Sequence, residues 1–71
     1  MGYLPVISGL ECRRALERLG YYFDRQNGSH MIMKLGGSSI SVPNHDPIAA
    51  GTLRAIIRQS GLTVDEFKNL L

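Results

Sequence analysis

A chain of 71 residues with 44% apolar and 20% charged side chains makes one domain with a small core and is too apolar for intrinsic disorder. Eight Lys and Arg against six Asp and Glu give a net charge of +2, which permits a nucleic-acid partner but supplies no polybasic tract that would demand one. The lone cysteine, Cys12, excludes an internal disulfide and a paired-cysteine zinc site and fits a reducing, cytoplasmic setting; no apolar run approaches the roughly 20 residues that span a bilayer.

The first element is a helix over "SGLECRRALERLG". Ser8 and Glu11 have capping-box spacing, and Gly20 supplies the residue that ends it. Cys12, Ala15, Leu16 and Leu19 recur at helical period and form the buried stripe, with Leu10 off it. Glu11, Arg14, Glu17 and Arg18 are a solvated face that needs no ligand.

"YYFDRQ" changes to a period of two, with Tyr21, Phe23 and Arg25 on one side of a strand and Tyr22, Asp24 and Gln26 on the other. Asn27-Gly28 signals a tight turn. His30 to Leu35 is the second strand, its Met31, Met33 and Leu35 on one face and His30, Ile32 and Lys34 on the other. Gly36-Gly37 turns the chain again, and "SSISV" is a third strand that stops at Pro43. "NHDP" reads as a loop. "AAGTLRAIIRQSG" is a second helix with Leu53, Ile56, Ile57 and Ser60 inward and Gly61 as its stop. "TVDEF" repeats the capping box, Thr63 to Glu66, and opens a short helix whose Val64, Phe67 and Leu70 cover the core. Residues 1–71 therefore read as a single α+β domain, an antiparallel three-stranded meander with two helices on one face and a short extra helix.

The second hairpin has a geometric consequence. With its turn centred between Gly36 and Gly37, residues whose numbers sum to about 73 or 74 face each other. His30 then lies opposite Pro43 or Asn44, which brings His45 to the same end of the sheet, with Ser29 and Asp46 beside the two imidazoles. Imidazole titrates near neutrality and serves as either base or acid. Such a pair can cut RNA without a metal, one ring taking the 2′-hydroxyl proton and another protonating the leaving 5′-oxygen. Lys34, on the His30 face, is a candidate for steadying charge on the phosphate.

Plainer readings exist for each residue. His30 can cap a strand end, His45 can satisfy loop backbone, and Ser29 is a common turn residue. Arg54 and Arg58, four apart on one flank of the second helix, can hold phosphates or simply face water. No ligand spacing specifies a metal site among His30, His45, Asp46 and Asp24. Met31 and Met33 read as plain core.

With "GSH" before one strand, "VPNHD" after the next, "ISG" ahead of the first helix, "ALERLGYYFDRQNGSH" between them and "GTLRAIIRQSGLTVDEF" near the end, the chain resembles the HicA family of toxin-antitoxin ribonucleases over nearly its whole length. The resemblance implies a fold similar to double-stranded-RNA-binding domains and a toxin that cleaves messenger RNA, with no cofactor and no metal. It also implies a partner antitoxin of the HicB type. The family's catalytic histidine falls on His30, the motif extends over Gly28 and Ser29 as RNA contacts or support, and His45 matches a recurrent loop histidine. Family members often carry a basic residue where Asn27 stands and a histidine or aromatic at Met31. Fewer cations there predict a weaker salt-dependent attraction for RNA. A non-catalytic RNA-binding module and a partner-binding protein without activity are the competing expectations.

Overall fold

The computed structural model describes residues 3–71. Helix α1 (Gly9–Leu19) begins at its expected cap: Ser8 Oγ accepts from the Glu11 N–H at 3.1 Å, and Glu11 Oε1 accepts from the Ser8 N–H at 2.9 Å. Ile7, just ahead of the cap, and Cys12, one turn inside, are both buried, the positions at which a hydrophobic staple fixes the angle of chain entry. Gly20 ends the helix at φ 118°, a conformation that disfavours a Cβ. Cys12, Ala15 and Leu16 are fully buried and Leu19 partly so, whereas Leu10 is exposed.

Strands β1 (Tyr22–Asn27), β2 (His30–Leu35) and β3 (Ser38–Pro43) form an antiparallel sheet in the order β1-β2-β3. Both hairpins have two-residue loops, Gly28-Ser29 and Gly36-Gly37, and in each only the first loop residue has positive φ, 62° and 56°. That is the type II′ pattern, whose twist suits the flanking strands. The first turn is therefore one residue later than Asn27-Gly28, and Asn27 pairs with His30. In the second hairpin Leu35 faces Ser38 and His30 faces Pro43, as the turn position predicts.

The alternation expected in β1 fails after Phe23. Phe23 pairs with Met33 and Arg25 with Ile32, leaving Asp24 as the extra residue of a β-bulge. A bulge reverses the parity of the residues beyond it. Arg25 thus joins Ile32, Lys34 and Tyr22 on the outer face, not the inner side shared with Tyr21 and Phe23.

The inner face carries Met31, Met33, Ile40 and Val42, each at most 1% exposed. Leu35 has the same parity but lies at the sheet's end and is half open to water. Against that face pack α1 and α2 (Ala50–Ser60), the latter through Leu53, Ile56 and Ile57. Ser60 on the same side is half-buried and donates its hydroxyl to the Ile57 carbonyl at 2.6 Å. Helix α3 (Val64–Lys68), capped by Thr63 and Glu66, inserts Phe67 with no exposed surface while Val64 and Leu70 pack at its margin. Burying a side chain of this size contributes about 1.5–3 kcal/mol, so α3 is part of the core. The helices cover one face only, and the outer face of the sheet, from Tyr22 to Ser41, stays open.

Candidate functional site

His30 is the first residue of β2, exposed directly after the Gly28-Ser29 turn. The chain beyond β3 stays tied to this corner by three backbone hydrogen bonds. Asn44 N–H donates to the Ser29 carbonyl at 2.7 Å, Gly9 N–H to the His45 carbonyl at 2.7 Å, and Ile48 N–H to the Ile7 carbonyl at 2.9 Å. The loop that bears His45 and Asp46 is thus clamped between the turn before His30 and the start of α1. Gly9 makes the clamp possible, because a Cβ there would collide with the Pro43 carbonyl oxygen and stand 3.0 Å from Asn44 Cα.

Both imidazoles leave the same end of the sheet and both are exposed. Among the described residues neither ring takes part in a hydrogen bond or ion pair, and the Ser29 hydroxyl has no partner. The corner thus offers two imidazoles, a hydroxyl and a glycine turn at Gly28 open to an incoming group. Among the described residues no three His, Cys, Asp or Glu side chains come together as a metal centre would require.

The cations are distributed differently from the expectation. Lys34 shares the outer face with His30 but lies four residues along the strand, about 13 Å at the usual rise, and its Nζ is 3.6 Å from Asp24 Oδ2. The bulge places Arg25 opposite Ile32, hence diagonal to His30 on the same face, a separation of about 7–8 Å that a long side chain spans. Arg25 donates to Asp24 Oδ2 at 2.6 Å. A solvent-reaching pair of this kind is weak. Reading β1 as an unbroken alternation missed Arg25 as a candidate. The clue was a charged residue at an inward position, which a regular strand does not tolerate and a bulge resolves.

Arg54 and Arg58 lie in the helical layer, where they flank a groove formed with Ile57, Leu62, Thr63 and Val64. They do not join the His30 corner. Cys12 is no nucleophile: burial pushes its thiol up to about 12, so it stays protonated and unreactive at neutral pH.

The fold and corner define a small α-β-β-β-α-α domain with one open sheet face and an exposed histidine at the end of its middle strand. Residues 9–62 match the family described as the HicA toxin of bacterial toxin-antitoxin systems, and the chain belongs to that family. It is accordingly the toxin of such a system, with an antitoxin for a partner. The match runs from the glycine at the start of α1 to the residue after Gly61 and leaves α3 outside. No curated protein matches the chain closely enough to add a relative. Among the described residues no helix is long and apolar enough to cross a membrane.

Proposed function

We propose that the chain is an endoribonuclease that cleaves messenger RNA in the cytoplasm by imidazole acid-base chemistry at His30, and that an antitoxin of the HicB type holds it inactive. The observation that carries this reading is the exposed, unpartnered His30 ring at a corner to which the His45 loop is tied. One imidazole takes the proton of the 2′-hydroxyl, and the freed oxygen attacks the adjacent phosphorus. The bond from phosphorus to the 5′-oxygen then breaks, and that oxygen takes its proton from the second imidazole. The products are a 2′,3′-cyclic phosphate and a 5′-hydroxyl. Arg25 reaches the phosphate from the outer face and offsets the charge that builds on it. Gly28, without a side chain, lets the backbone come close, and the Ser29 hydroxyl donates to a phosphate oxygen. Every proton in this sequence is carried by a side chain of the chain itself, so the reaction runs in excess EDTA.

The test is cleavage of a long single-stranded RNA in EDTA by wild type, His30→Ala and His45→Ala, each checked for folding. Positioned acid-base groups contribute about 10²–10⁴ in rate, and His30→Ala is expected to lose at least that. His45→Ala separates the second proton-transfer role from a structural one. Retained cutting by His30→Ala ends the reading, and RNA binding without cutting by wild type replaces it with a non-catalytic RNA-binding module.

A further inference from the structure

The groove between α2 and α3, of about 270 Å³, is lined by Arg54, Ile57, Arg58, Leu62, Thr63 and Val64. We propose that it is a docking site for an acidic, amphipathic segment of the antitoxin, with carboxylates over Arg54 and Arg58 and apolar side chains on Ile57, Leu62 and Val64. This goes beyond the ribonuclease reading and rests only on membership of a toxin-antitoxin family.

Arg13 is paired with Glu17, Arg25 and Lys34 with Asp24, and Lys68 with Asp65; Arg14 and Arg18 have no ion pair among the described residues, but they share their hollow with Glu11, and Arg18 donates to the Leu70 carbonyl. Arg54 and Arg58 have no ion pair or hydrogen bond within the described residues, and α2 contains no acidic residue. Two unneutralised guanidinium groups one helical turn apart match carboxylates at the same spacing on a partner helix. Between them the floor is apolar: Ile57 is buried, and Leu62 and Val64 are half-buried, leaving part of each to be covered. Apolar anchors ringed by charge suit a peptide that binds by its amphipathic face. An RNA backbone would use the arginines but leave that floor wet. The groove also lies in the helical layer, across the sheet from the outer face that His30, Ile32 and Lys34 share, so a segment seated here need not displace anything at His30.

The experiment measures affinity of the purified cognate antitoxin for wild type, Arg54→Ala, Arg58→Ala and the double reversal Arg54→Glu/Arg58→Glu, at low and high salt. The same variants are assayed for RNA cleavage without antitoxin and for thermal stability. Like charges set against an acidic partner are strongly repulsive, and the double reversal is expected to lower antitoxin affinity by roughly a hundredfold, the single variants by roughly tenfold. The loss in antitoxin affinity should exceed any change in cleavage by at least about tenfold, and salt should weaken wild type more than the alanine variants. If the reversal variant does not fold, the single variants decide. Unchanged antitoxin affinity overturns the proposal, and so does an equal loss of antitoxin and RNA, which would make the arginines a general basic surface. A wild type that cuts no RNA sinks the ribonuclease reading and leaves this binding test intact.

Discussion

At Gly9 the backbone of α1 meets the end of β3 with no space for a side chain, and its N–H holds the His45 carbonyl. The obstacle is backbone on both sides, so no rotamer change relieves it. Gly9→Ala is expected to cost about 2 kcal/mol or more in urea unfolding and, on the ribonuclease reading, to slow RNA cleavage by shifting the His45 loop. Unchanged stability would mean that the loop yields freely and that the clamp does not position His45. Cys12 makes a second prediction at this scale. Its folded value is raised to about 12 against 9.0 for an unperturbed thiol, so below pH 9 both folded and unfolded chains keep the proton and the residue has no effect on pH dependence. Above pH 9 the unfolded chain ionises first, and stability falls as pH rises toward 12. Cys12→Ala should flatten that alkaline fall, and alkylation of the native protein should proceed only through unfolding.

Helix α3 lies outside the family match yet fills the core with Phe67. Phe67→Ala is expected to cost about 3–5 kcal/mol, a large part of the stability of a domain this small, and a chain ended after Leu62 should lose its cooperative unfolding transition. Persistence of that transition would show α3 to be an accessory. The helices were legible because their signals are local: Ser8 with Glu11 and Thr63 with Glu66 are capping boxes at fixed spacing, and the α1 stripe keeps its period without interruption. The His30–Pro43 pairing was legible for a related reason, since a two-residue loop fixes the register of every later pair in its hairpin. β1 was not. Its bulge at Asp24 depends on which residues β2 presents across the ladder, and the charge of Arg25 at an inward-parity position hints at a break without fixing where it falls. The cost of that miss fell on the candidate site, because parity decides whether Arg25 points to the core or to the face of His30. The groove beside Arg54 and Arg58 was equally hidden, since it exists only once α3 folds back on α2.

Across the whole molecule the net charge is only +2, and on the outer face one carboxylate, Asp24, contacts both Arg25 and Lys34. On the ribonuclease reading, an RNA approaching that face meets those cations partly neutralised. All three side chains reach solvent, so the pairs add little stability, and their main effect is on attraction at a distance. Asp24→Asn removes the carboxylate charge, keeps the bulge residue at similar size and frees both cations. Stability is expected to change by less than about 1 kcal/mol, while RNA affinity at low salt rises and the dependence of log affinity on log salt steepens by about one phosphate contact. If the ribonuclease reading holds, the gain should appear in KM at low salt and vanish as salt screens it, with kcat little altered because the proton-transfer groups are untouched. Titrating a fluorescent RNA strand at several salt concentrations measures the slope directly. An unchanged slope would mean that RNA does not travel over the outer face, and the path to His30 would then have to run along the loop edge beside His45 instead.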